Sequence, residues 1–147
     1  MACLTCQSIS GEKRISPGPT IYAGRYWLVE HAYPVKMTGW LVLVLKRHAE
    51  ALHDLSEAEF EELAALQKQA ATVLHEVFSC SKEYVICFGE AEGFPHIHFH
   101  VVARAPDLPE DLRGGSIFKM IKATEAEAVP PAEIKAFCEN LQRRFVP

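Results

Sequence analysis

The sequence predicts an α+β domain built on a mainly antiparallel sheet. Short apolar strands arranged as hairpins come early in the chain, one long amphipathic helix lies in the middle, and further strands follow it. Four or five strands around one long helix, with no internal repeat, are typical of this fold class. A chain of 147 residues, 49% of them hydrophobic, corresponds to one domain with a sizeable core.

Charge and hydropathy exclude two classes of partner. The chain carries 15 basic and 19 acidic side chains, for a net charge of −4, so it lacks the basic surface of a general nucleic-acid binder. The longest apolar run, 41–45, is far too short to cross a bilayer, and the first residues do not resemble a signal peptide. We therefore expect a cytoplasmic protein that binds neither nucleic acid in general nor a membrane.

Strands are predicted on both sides of the long helix. Residues 20–23 and 25–30 are two short candidates, and residues 37–45 form a buried strand dense in large apolar and β-branched side chains. After the helix, the segments 84–89 and 96–103 have the same character. These segments supply the sheet.

The long helix has a clear beginning. Ser56 is a favourable N-cap, and Glu59 stands three residues later as its capping-box partner. Apolar side chains then recur at spacings of three and four as far as Val77. A second helix is predicted at about 131–145, because Pro131 fits a first turn and apolar residues follow on one face.

The cysteines do not form a disulfide framework. Five cysteines are scattered through the chain, an odd number in a sequence of ordinary composition. Cys80, Cys87 and Cys138 lie in apolar surroundings typical of small core residues. Cys3 and Cys6 form a C-x-x-C pair, which in a reducing compartment indicates a metal site or redox chemistry.

The segment that carries chemistry contains three alternating histidines. In a strand, side chains alternate between two faces, so His96, His98 and His100 are expected on one face and apolar residues on the other. Two kinds of chemistry fit such a row. An imidazole can attack phosphorus while its neighbours fix its tautomer and assist the leaving group, or the row can bind a zinc ion.

The run HIHFHVV, residues 96–102, resembles the signature of the histidine-triad (HIT) family in all seven positions. Upstream, Pro34, Gly39 and the segment 41–48 also resemble that family, and the resemblance covers residues 3–104. It implies a HIT-like fold with a five-stranded sheet, and a homodimer. We expect a HIT-like domain at 1–105 and a C-terminal extension at 106–147 that packs on the same domain.

The resemblance also implies an activity and a metal. Family members hydrolyse or transfer nucleotides through a covalent nucleotidyl-histidine, so a nucleotide polyphosphate or nucleoside phosphoramidate is the expected substrate. His98 matches the family's nucleophile, His96 helps to orient the site, and His100 assists at the phosphate or leaving group. Some bacterial members bind a structural zinc through residues that match Cys3, Cys6, His48 and His96. No organic cofactor is expected.

Several positions around the substrate depart from the family's pattern. Gly93 occupies the place of a Ser or Thr that contacts the phosphate, His31 that of an acidic residue that holds the ribose, and Trp40 that of a histidine after Gly39. Arg104 matches an arginine that follows the motif, although a strand-end ion pair explains it equally well. Aromatic residues, Trp27 and Phe94 among them, are candidates to line a base-binding cleft.

Two alternatives to the nucleotidyl-histidine mechanism remain open at the level of sequence. One is a zinc-dependent hydrolase in which His96, His98 and His100 are metal ligands with an open coordination position. The other is a non-catalytic nucleotide-binding protein, which the departures at substrate-holding positions favour.

Overall fold

The computed structural model describes residues 2–147 and is built around a five-stranded antiparallel sheet. The strands are β1 (Tyr22–Ala23), β2 (Trp27–His31), β3 (Trp40–Leu45), β4 (Lys82–Ile86) and β5 (His98–Arg104). Their order in the sheet is β1-β2-β3-β5-β4, and every neighbouring pair is antiparallel. This confirms the predicted α+β class.

The two faces of the sheet have different roles. One face packs against the long helix α2 (Glu57–Phe78), which begins with the predicted capping box between Ser56 and Glu59. The pairing of β3 with β5 sets Val42 opposite His100 and Val44 opposite His98, so these four side chains share the other face. The sheet therefore separates the hydrophobic core under α2 from the histidines.

Residues beyond position 106 pack on the same core. They form two 3₁₀ segments, Glu110–Leu112 and Gly114–Ile121, and a C-terminal helix, here called α3 (Pro131–Gln142). Ile117 and three side chains of α3 are fully buried within the main core cluster. Among residues 2–147, no helix combines the length and the apolar character needed to cross a membrane.

The structure differs from the sequence prediction at the two ends of the histidine site. A seven-residue helix, α1 (Leu4–Ser10), begins directly after Cys3, contains Cys6 and was not predicted. Its N-cap is Cys3, whose sulfur accepts the Cys6 backbone N–H. Strand β5 begins at His98, so the prediction of a strand from residue 96 is wrong: the ring of His96 is bonded to the end of β3 instead.

One carboxylate joins α2 to the first hairpin of the sheet. Glu62 accepts the backbone N–H groups of Arg25, Tyr26 and Trp27 at 2.7–2.9 Å. These three amides lie in the turn between β1 and β2 and at the start of β2. The carboxylate thus holds the hairpin over α2, because hydrogen bonds to a charged acceptor are stronger than neutral ones.

We expect Glu62→Ala to lower the free energy of unfolding by about 2 kcal/mol, because three backbone donors lose a charged acceptor. Urea unfolding monitored by circular dichroism measures this loss. Glu61→Ala is the matched control, since Glu61 is an exposed neighbour on the same helix, and a surface change of this kind stays within about 0.5 kcal/mol. Equal losses in the two variants would contradict the role of Glu62.

Candidate active site and metal centre

A cavity of about 470 Å³ lies on the histidine face of the sheet. His98 and His100 of β5 line its floor together with Val42 and Val44 of β3. The walls come from both ends of the chain: Thr5, Ser8 and Ile9 of α1 on one side, and Phe118, Ile121 and Lys122 on the other. Its lining is mostly apolar, which is typical of a small-molecule site with few polar contacts.

The hydrogen bond of His98 fixes the protonation of its ring. Nδ1 lies 2.6 Å from the backbone carbonyl oxygen of His96. A carbonyl only accepts, so Nδ1 carries the proton and Nε2 keeps its lone pair. Burial lowers the pKa of His98, which favours the neutral ring. A neutral imidazole with a free Nε2 is a nucleophile.

His100 is fixed in the opposite way. The indole Nε1–H of Trp40 donates to Nδ1 of His100 at 2.9 Å, so the free nitrogen is Nε2 and it carries the proton. The rings of His98 and His100 lie 5.0 Å apart between centroids, at 79° to each other. The His98 ring therefore offers a lone pair on Nε2, and the His100 ring offers an N–H on Nε2.

His96 is fully buried and makes contacts with three parts of the chain. Its Nε2–H donates to the backbone carbonyl of Leu45 at 2.7 Å, which leaves the lone pair on Nδ1. That lone pair faces the sulfurs of Cys3 and Cys6, each 3.5 Å from Nδ1. The backbone carbonyl of His96 accepts a hydrogen bond from Nδ1–H of His98. His96 therefore orients the His98 ring without facing the cavity.

The predicted metal ligands are brought together. Cys3, Cys6, His48 and His96 each offer a ligand atom within 4.8 Å of the others. Nδ1 of His48 lies 3.4 Å from the Cys6 sulfur, and its Nε2 is bonded to the Glu50 carboxylate at 3.1 Å.

The donor set fits zinc. A tetrahedral Zn²⁺, with bonds of about 2.3 Å to sulfur and about 2.0 Å to nitrogen, places a sulfur and a nitrogen ligand roughly 3.5 Å apart. Three sulfur–nitrogen pairs of the cluster lie 3.4–3.5 Å apart. Both histidines also donate their other ring N–H to an oxygen, the second contact that metal-bound histidines usually make. Although burial opposes ionisation, hydrogen bonds from Cys6 and His48 hold the pKa of the Cys3 thiol below its usual value.

The ring of His31, a predicted substrate contact, is held by backbone groups on both sides, and its contact with substrate stays a prediction. Its Nδ1–H donates to the carbonyl of Ala32 at 2.8 Å, and its Nε2 accepts the N–H of Gly39 at 3.1 Å. Burial lowers the pKa of His31 to about 4, so the ring is neutral and both nitrogens are occupied. Although it contributes to the cavity wall, His31 serves to join β2 to the turn before β3.

Gly93 also has a structural role. Its carbonyl accepts the N–H of Leu4 at 2.9 Å, where α1 begins. Its φ is +85°, and a Cβ at this position would lie 2.9 Å from the Leu4 side chain. A serine or threonine here would be strained, and its Cβ would crowd the end of the Leu4 side chain. The close approach of α1 therefore explains the glycine.

Of the other predicted substrate residues, only Phe94 lines the cavity. Trp27 is fully buried on the α2 side of the sheet, where its ring meets Phe99 and its N–H donates to the Glu59 carbonyl. Arg104 lies at the far end of β5, six residues from His98, which is roughly 20 Å along a strand. The structure thus places Trp27 and Arg104 away from the cavity, and their contact with substrate stays a prediction.

The geometry also bears on the zinc-hydrolase alternative. Both ring nitrogens of His96 are directed to Leu45 and the cysteines, so His96 cannot share an ion with His98 and His100. Within residues 2–147, the clusters of side chains that could hold a metal ion include neither His98 nor His100. The row of three histidines is therefore divided between two sites.

Two contacts of His100 were not predicted from the sequence. The bond from Trp40 to His100 depends on the register of β3 against β5, which the sequence does not specify. Phe118 covers His100 from a segment with no recognisable motif. The one available signal was the tryptophan at the position where the family often has a histidine.

Comparisons with known proteins identify the family and the fold. The family model for the HIT domain matches residues 20–107. Among solved structures, a histidine triad protein from Bradyrhizobium japonicum is 22% identical with a TM-score of 0.71, covering 87% of this chain and 90% of that one. A Zn-bound histidine triad family protein from Mycobacterium smegmatis is 19% identical with a TM-score of 0.63, covering 99% of both chains.

A third solved structure, a Hit-like protein involved in cell-cycle regulation from Bartonella henselae, is 14% identical with a TM-score of 0.73 and covers 97% of this chain and 96% of that one. A search of curated proteins gave no match. The fold and the paired histidines define a HIT-like protein. The chain belongs to the HIT domain family, whose fold is that of nucleotide-binding proteins and hydrolases.

Proposed function

We propose that this protein hydrolyses or transfers nucleotides from phosphoramidate or polyphosphate substrates through a covalent intermediate on His98. The observation that carries the proposal is the 2.6 Å bond from His98 Nδ1 to the His96 carbonyl. It leaves an unprotonated Nε2 on a ring that lines the cavity. Family membership supports the class of reaction, and the bond supports the choice of nucleophile.

The first step forms the intermediate. The lone pair of His98 Nε2 attacks phosphorus and forms an N–P bond, while the bond to the leaving group breaks. The electron pair of that bond departs with the amine or phosphate, which takes a proton from solvent. Positive charge develops on the His98 ring, and the His96 carbonyl stabilises it through the Nδ1–H bond.

The second step releases the nucleotide. A water molecule attacks phosphorus, the N–P bond breaks, and its electron pair returns to Nε2 of His98. The proton of the water passes to solvent. When another nucleophile replaces water, the same step is a nucleotidyl transfer. The apolar lining of the cavity, with Phe94 among its residues, suits the planar base of a nucleotide.

Zinc is the second part of the proposal. Cys3, Cys6, His48 and His96 would hold it as a closed set of four ligands. When bound, it supplies a cross-link between α1 and the base of the active site rather than an open coordination position. Because α1 forms one wall of the cavity, this cross-link sets the shape of the substrate site.

We expect purified protein to contain about one equivalent of zinc and the His48→Ala variant to lose it, because four ligands close the site. Loss of zinc should lower Tm by several degrees and raise KM more than it lowers kcat, since α1 lines the cavity. Elemental analysis, thermal unfolding and steady-state kinetics measure these effects.

His53→Ala is the matched control, since His53 belongs to the same loop region and its side chain is 85% exposed. It should keep both zinc and Tm. Less than about a tenth of an equivalent of zinc in the wild type, or full zinc in a Cys3→Ser/Cys6→Ser variant, would contradict the site.

A homodimer is also part of the proposal. Strand β4 lies at the edge of the sheet, and Val85 on it is 47% exposed. An edge strand with an exposed apolar side chain is suited to pairing with a second chain. Sedimentation equilibrium should give twice the mass of the chain, and Val85→Lys should shift the equilibrium to the monomer. A monomeric wild type would contradict this.

A cytoplasmic location stays a prediction.

We expect His98→Ala to lose the covalent adduct and to fall below about a hundredth of wild-type turnover, because no other residue lining the cavity replaces its lone pair. The measurements are turnover of a fluorogenic nucleoside phosphoramidate and mass spectrometry of the rapidly quenched protein. Thermal unfolding should change little, since His98 faces the cavity rather than the core.

The outcomes separate the alternatives. A variant that keeps more than a hundredth of the activity would contradict His98 as nucleophile. Wild-type turnover with no adduct on His98 under any quench would favour a metal-dependent hydrolase. Nucleotide binding with no turnover of any phosphoramidate or polyphosphate would favour a non-catalytic binding protein.

A further inference from the structure

The bond between Trp40 and His100 is buried on both sides. Trp40 has 0% of its surface exposed and His100 has 8%. An indole N–H only donates, so Nδ1 of His100 must hold a lone pair at 2.9 Å from Nε1 of Trp40. In the neutral ring the proton is therefore on Nε2, the nitrogen left for the cavity.

The ring of His100 is also held by packing. Phe118 meets it nearly perpendicularly, at 87° and 5.1 Å between centroids, and meets Trp40 at 76° and 5.4 Å. Phe118 belongs to the 3₁₀ segment Gly114–Ile121, which lies beyond the region matched by the family model. A flip of the imidazole would lose the indole bond and disturb this three-ring cluster.

A second proton on His100 is also disfavoured. It would have to bind Nδ1, where the Trp40 N–H already points, and two donors would then face each other in a buried place. Burial lowers the pKa of His100 to about 3, in the same direction. His100 therefore offers a hydrogen bond but has no proton to give away at neutral pH.

We propose that Trp40 is a positioning residue that fixes His100 as a neutral Nε2–H donor to a phosphoryl oxygen, so that His100 does not act as the acid for the leaving group. The proposal rests on the proposed function of His98. A phosphoryl oxygen on the attacked phosphorus is the acceptor that suits this donor, because it gains negative charge while the bonds to phosphorus change. The leaving group then takes its proton from solvent.

The test compares two buried tryptophans. Trp40→Phe keeps an aromatic ring but removes the donor to His100, and Trp27→Phe removes an equally buried donor that serves the Glu59 carbonyl instead. Nitrogen-15 NMR of the free protein reports which ring nitrogen of His100 carries the proton. The His100 signals are identified by their absence from the spectrum of His100→Asn.

In the wild type and in Trp27→Phe, we expect an unprotonated Nδ1 and a protonated Nε2 on His100. In Trp40→Phe, both tautomers should be populated, and kcat should fall about ten- to hundredfold with little change in KM. A lower kcat with an unchanged KM indicates the loss of the donor. A general loss of stability is instead expected in both tryptophan variants.

A protonated Nδ1 on His100 in the wild type would overturn the proposal even if Trp40→Phe does not fold. So would a Trp40→Phe variant that keeps the tautomer, or whose kcat equals that of Trp27→Phe. Failure of the proposed function gives a different result, namely a wild type without an adduct on His98. The NMR result is obtained without substrate, so it tests the tautomer of His100 independently of whether an adduct forms on His98.

Discussion

The candidate active site depends on the three contacts of one buried residue, His96. Its ring N–H is bonded to the end of β3, its other ring nitrogen faces the two cysteines at the start of α1, and its backbone carbonyl accepts a hydrogen bond from Nδ1 of His98. Moving His96 would therefore move a wall of the cavity and the proposed nucleophile together. A zinc ion bound there would restrain all of these parts with one set of bonds.

Hydrogen bonds give the three histidines of the motif 96–100 an alternating pattern of protonation. Backbone carbonyl oxygens accept hydrogen bonds from Nε2–H of His96 and from Nδ1–H of His98. The indole N–H of Trp40 donates to Nδ1 of His100, so the proton of His100 is on Nε2. Burial lowers the pKa of all three histidines, so the pattern is one of neutral rings. One motif thus offers a candidate metal ligand, the proposed nucleophile and a hydrogen-bond donor.

The sequence could predict the parts of this site that depend on local pattern. The α2 helix follows from its capping box and apolar spacing, and the four ligand positions follow from resemblance. The helix α1 could not be predicted, because seven residues carry little helix signal and the packing against Gly93 holds it. The role of Trp40 depends on the register of β3 against β5, which becomes known only when the sheet is assembled.

The proposed mechanism requires three ring protons at defined positions. A neutron crystal structure of the exchanged protein observes them directly. We expect deuterium on Nε2 of His96, on Nδ1 of His98 and on Nε2 of His100, and none on the other ring nitrogen of each. Deuterium on Nε2 of His98 would contradict this assignment, because the lone pair would then lie on Nδ1, against the His96 carbonyl, and none would be directed to the cavity for attack on phosphorus.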